Sequence, residues 1–148
     1  MTSNIKSSRK IMISASLIWI GFLGAISFME SWLKFRATGV TLEIGLSIGK
    51  LVFFALNKVE IFLALVIITA FILSKQSIIK KRNISFLLII IILIIQSIYL
   101  LPQLDYRAEQ IIDGFKLAKS YLHLYYVAFE AIKLLLLSSF THQNFKTL

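Results

Sequence analysis

The sequence predicts an all-α protein, a four-helix transmembrane bundle with short interfacial helices in its two outer loops. Three observations carry this. Hydrophobic residues make up 58% of the 148 residues, against 16% charged. They arrive in unbroken blocks rather than with a helical or strand rhythm. Four blocks, Ile11–Met29, Leu51–Ser74, Ile84–Leu101 and Leu117–Phe140, meet or approach the ~20 residues that a helix needs to cross ~30 Å of hydrocarbon. Lipid admits only helices and closed barrels, and no alternating segments are present to build a barrel. The chain 1–148 therefore reads as one transmembrane domain.

The first block follows a polar, basic tail with no apolar face. The tail and block mimic a signal peptide, but the run is long and ends in SFME without a small-residue cleavage site, so it reads as a span. Within it Gly21, Gly24 and Ala25 are expected to admit a close neighbour, and Ser14, Ser16 and Ser27 to bond within or across helices. Trp19 lies near mid-depth, where its indole N–H needs an acceptor on another helix.

The segment TGVTLEIGLSIGK that follows is too apolar for a solvated linker and reads as a short interfacial or re-entrant helix. The second span then carries Asn57, Lys58 and Glu60. An ionisable group at bilayer depth costs about 2.5–3.5 kcal/mol on insertion scales and persists only with a partner or water. Asn57 and Glu60, three apart, share a face. Lys58 lies on a different face, with a stem long enough to reach the outer surface.

The third span is almost pure Ile and Leu, with Gln96 and Tyr99 near its outer end, and Pro102 is expected to break it. The next residues suit a short amphipathic surface helix ending at Asp113-Gly114. The fourth span places His123, Tyr126, Glu130 and Lys133 on one face. The opposite face (Leu124, Ala128, Ile132, Leu135) is apolar and meets lipid or a second subunit.

The net charge is +9. Nucleic acid is not the expected partner, because the charges are distributed by topology. Lys6, Arg9 and Lys10 precede the first span, Lys75, Lys80, Lys81 and Arg82 fill the 75–83 loop, and Lys146 follows the fourth span. No acid occurs in these stretches. The positive-inside rule puts both termini and that loop in the cytoplasm, and the Ile- and Lys-rich usage suits a bacterium, with the inner membrane as the expected location.

The polar residues inside the spans form the candidate site: Glu60 and Glu130 first, then His123, Asn57 and Lys133, with Gln96, Tyr126 and Glu30. They are expected to line a cavity open to the outer side that binds or conducts a small polar solute or ion. A membrane enzyme is the alternative, with His123 as base and Glu60 or Glu130 as acid on a lipid or quinone-like substrate. A structural or accessory subunit, its polar seam only fixing helix register, is the third reading. No catalytic residue is assigned. No cofactor or metal is expected: the chain has no cysteine, His142 is far from His123, and His123 and Glu130 are ~10 Å apart along one helix.

The stretches MESWLKFRATGVTLEIGLSIGKLVFFALNKVE (29–60) and HLYYVAFEAIK (123–133) resemble small bacterial four-span membrane proteins of unknown function. The resemblance implies a four-helix bundle and brings no activity with it. The expected partners are the bilayer, a small polar solute or ion, and a second copy of the chain.

Overall fold

Helix follows helix through the computed structural model, which describes residues 2–79 and 83–148 and shows no strand among them. Four rods, Asn4–Arg36, Leu42–Leu73, Ile84–Ile112 and Leu122–Phe145, are long and apolar enough to cross a membrane. Lys80, Lys81 and Arg82, which belong to the positive-inside argument, lie outside the described residues.

The first rod is α1 (Thr2–Phe22), a π-helical stretch Leu23–Glu30, a single turn α2 (Ser31–Leu33) and a 3-10 turn Lys34–Arg36. Gly21 and Gly24 face open space, so the close neighbour expected there is absent. The turn beyond the rod uses Gly39 at φ 84°, a conformation that costs glycine nothing. Thr41 then caps α3 (Leu42–Leu73), its hydroxyl accepting from the Ile44 N–H at 3.4 Å. No break separates residues 42–50 from the rest, so the segment read as a separate interfacial helix forms the opening turns of α3. Its 32 residues make a rod of about 48 Å, well beyond the hydrocarbon thickness. Lys75 at φ 53° ends it, and the Gln76 N–H returns to the Phe71 carbonyl at 3.1 Å.

The third rod corrects a second expectation. Pro102 does not end it. Instead α4 (Ile84–Ile95) widens into a π stretch, Gln96–Leu100, and continues as α5 (Leu101–Ile112) with Pro102 in its first turn. A proline ring presses on the carbonyl four residues back and offers it no N–H. The wider turn immediately before Pro102 absorbs both defects, with the Leu101 N–H reaching back to the Gln96 carbonyl. The rod stops at Gly114, φ 88°, where the Phe115 N–H closes onto the Gln110 carbonyl. Residues 115–120 are not helical, so α6 (Leu122–Phe145) begins later than the apolar run suggests.

Packing brings α1 against α3 and α6, α4 against α6, and α5 against α3. A ring cluster of Phe71, Phe86 and Phe140, with centroids 5.3–6.1 Å apart, fills one end of the bundle. Arg9 bonds the Thr147 carbonyl, so the beginning and end of the chain lie together. Because the rods alternate in direction, the turn after α3 is at this end too, and 37–41 and 113–121 are at the other. Leu124, Ile132 and Leu135 face outward, as the spacing predicts.

Candidate functional site

Midway along the rods, three charged side chains are completely buried. Glu60 of α3 and Glu130 and Lys133 of α6 each have 0% exposure. Spacings of four and three residues place Tyr126, Glu130 and Lys133 on the inward face of α6, and Glu60 shares the inward face of α3 with Asn57 and Leu63. The Lys133 ammonium donates to Glu60 Oε1 and lies 3.0 Å from Glu130 Oε1. One cation therefore joins two acids from different helices.

Neutral donors complete the cluster. Trp19 Nε1 donates to Glu60 Oε1 at 2.8 Å. Gln96 Nε2 donates to Glu130 Oε1 at 2.8 Å, and the Ser27 hydroxyl to Glu130 Oε2 at 3.2 Å. All four rods contribute. Ser27 and Gln96 both sit in π-helical stretches, so each local widening presents a donor to the same carboxylate. Burying a charge is tolerable only with such pairing. Glu60 Oε2, Gln96 Oε1 and the Tyr126 hydroxyl, one helical turn from Glu130, remain buried without a hydrogen bond.

Other expected site residues fall elsewhere. Asn57 is buried but donates to the Ser97 hydroxyl at 2.7 Å rather than to a carboxylate, pinning α3 to the third rod. Glu30 pairs with Lys34 one turn on, at 3.2 Å. His123 is exposed and makes no hydrogen bond to a carboxylate among the described residues. Lys58 is exposed, 4.9 Å from the Phe54 ring centroid.

A cavity of about 280 Å³ opens among the ends of the rods far from the termini. Phe35, Leu46, Phe53, Leu101 and Leu104 give it mainly apolar walls, with Lys34, Lys50, Asp105 and His123 as polar groups. Gly45 and Gly49 also line it, against the Phe35 ring and the Lys34 ammonium; a side chain at Gly45 would overlap that ring. Of the residues expected to line a cavity, only His123 and Tyr126 do so. Glu60, Glu130, Lys133 and Gln96 are sealed below it, because Phe53 and Tyr126 meet edge to face at 5.4 Å across the floor. Cavity and charged cluster are thus two sites, touching at Tyr126.

Among the described residues, no three His, Asp or Glu side chains converge as a metal site would require. The mid-span position of Trp19 makes its need for an acceptor legible; Ser27 and Ser97 carry no signal that sets them apart from ordinary membrane serines.

Fold and composition together define the class: a helical, multi-pass protein with four rods fit to cross a membrane. No family model, no curated protein and no solved structure matches the chain.

Proposed function

We propose that this protein lies in a bacterial inner membrane with both termini cytoplasmic and binds a small solute with an apolar body and a polar head in its outer cavity. The observation that carries the reading is the cavity itself, about 280 Å³ with apolar walls and Lys34, Lys50, Asp105 and His123 around them. Binding pockets have this character, apolar in the main with a few polar groups to orient the ligand. The orientation follows from the basic residues Lys6, Arg9, Lys10 and Lys75 at the end shared by the termini. Leu124, Ile132 and Leu135 then face acyl chains or a second copy of the chain.

The test is thermal unfolding of the protein in lipid nanodiscs against a panel of small amphiphiles of differing headgroup. A ligand at a hundred times its Kd adds about 2.7 kcal/mol. Ala108 lines the cavity and is nearly buried, so Ala108→Phe fills the space. Stabilisation of the wild type that is lost in Ala108→Phe supports the proposal. No stabilisation by any amphiphile, or the same stabilisation in the filled variant, defeats it.

A second reading, a structural seam, draws on a specific observation. All three charges of the cluster are sealed and are partnered from every rod.

A further inference from the structure

We infer that Glu60, Glu130 and Lys133 form a proton-binding site that holds one dissociable proton and exchanges it with the outer cavity past Tyr126. The argument begins with a charge count. Lys133 neutralises one carboxylate, and the cluster contains two. With both acids ionised it keeps a net charge of −1 at zero exposure.

Among the described residues, no side chain packed against it supplies the missing positive charge. The first rod offers Trp19 and Ser27, the third offers Gln96, and α6 adds Tyr126. On α3, Lys58 faces outward, Lys50 turns to the cavity where Glu109 pairs with it, and Glu60 is the ionisable side chain that enters the cluster. Beyond Tyr126 the cavity wall carries Asp105 and two cations, Lys34 and Lys50, each already paired with an acid of its own, Glu30 and Glu109. A carboxylate without a counter-charge in a dry interior takes up a proton.

A second observation, independent of charge, points the same way. Glu60 Oε2, fully buried, has no hydrogen-bond donor, and Gln96 Oε1 is an acceptor in the same condition. The cluster is short of donors, and a carboxyl O–H adds one. A metal cation would have to sit against the Lys133 ammonium, whereas a proton needs no coordination space.

Tyr126 supplies the route. Only 1% exposed, it lines the cavity, and its buried hydroxyl lies one helical turn from Glu130. Its hydroxyl both donates and accepts. On release, the carboxyl O–H bond breaks and its proton passes to the Tyr126 oxygen, while the hydroxyl proton leaves to water in the cavity. Tyr126 ends neutral, the cluster carries −1, and one hydronium is formed. Uptake is the reverse.

The test is infrared spectroscopy of the protein in nanodiscs at neutral pH, reading the C=O stretch of protonated carboxyls and its shift in D₂O. The wild type should show one buried protonated carboxyl. Glu60→Gln and Glu130→Gln each leave one acid for Lys133 and should lose the band, and Lys133→Met should show two such carboxyls. Tyr126→Phe should keep the band and slow its deuterium shift by on the order of tenfold or more. A wild type without the band overturns the site, and that measurement requires no variant to fold. A band that survives in both glutamine variants also overturns it. Wild-type exchange in Tyr126→Phe overturns the route. No solute is added, so this inference and the cavity reading fail separately.

Discussion

The indole N–H of Trp19 donates to Glu60 Oε1 at 2.8 Å, a buried hydrogen bond that ties α1 to α3. The same oxygen accepts from Lys133, so Trp19 helps to hold the acid at the centre of the bundle. Hydrogen bonds to charged groups contribute about 1.5–3 kcal/mol. Trp19→Phe keeps an aromatic ring but loses the donor and part of the volume. Its expected cost in reversible unfolding from detergent micelles is ~2–4 kcal/mol. A cost below about 0.5 kcal/mol would mean that the bond is replaced without loss.

Lys133 separates the structural contribution of the cluster from its charge. Removing one member of a buried ion pair costs about 3–5 kcal/mol, while replacing the whole set by neutral groups of similar shape is often close to neutral. Lys133→Met alone should fall in the first range. The triple variant Lys133→Met, Glu60→Gln, Glu130→Gln should recover most of the loss, because Trp19, Ser27 and Gln96 still find amide partners. Recovery by unfolding assay, together with loss of the protonated carboxyl, separates charge from shape. If the triple variant is as unstable as the single one, the ions themselves hold the helices in register.

Periodicity made the centre of this cluster legible. Glu60 and Glu130 stand mid-span, where only partnered acids survive, and helical spacing puts Tyr126 and Lys133 beside Glu130. His123 shows the limit of that argument. It lies on the same stripe, but seven residues along a helix is ~10 Å, enough to move it from the sealed interior to the cavity rim. Ser27 is expected to bond within or across helices, but its partner is not legible, because a serine in a membrane helix ordinarily bonds its own backbone, as Ser16 does to Met12. The π stretches left no mark in composition, although each brings a donor to Glu130. The usual effect of Pro102 is to end a helix, and the preceding π turn changes that outcome.

That turn carries the next prediction. Removing a proline from a helix interior ordinarily stabilises by up to ~3 kcal/mol. In Pro102→Ala the restored N–H favours an α-helical register through residues 96–100. That register would rotate Gln96 away from Glu130 or turn α5 off its contact with α3. The two effects oppose each other, and the net change in unfolding free energy should stay within about 1 kcal/mol. A gain near the full value would show that the π stretch holds nothing in place.

The Lys50–Glu109 pair provides a contrast at the cavity mouth. It joins α3 to α5, with side chains 26% and 57% exposed. Exposed ion pairs contribute ~0–1 kcal/mol and are screened by salt. Lys50→Met should therefore cost less than about 1 kcal/mol, and the difference from wild type should shrink as salt is raised. A larger, salt-independent loss would place Lys50 in the packing of the cavity wall instead.

Lys58 is two residues from Glu60, yet two residues turn a helix by about 200°, which puts the two side chains on opposite faces. Its ammonium lies 4.9 Å from the Phe54 ring centroid, with no ion pair among the described residues. An exposed cation–π contact is worth only about 0.5–1 kcal/mol. Lys58→Leu removes that contact and also the penalty of a cation facing lipid, so the two changes oppose each other and the second is the larger. The variant should insert at least as well as wild type in a glycosylation-mapping assay, with unfolding stability changed by less than about 1 kcal/mol. Poorer insertion, or a loss above about 2 kcal/mol, would mean that Lys58 meets an acidic partner outside the chain. A second copy would be the first candidate, because the side chain points away from its own bundle.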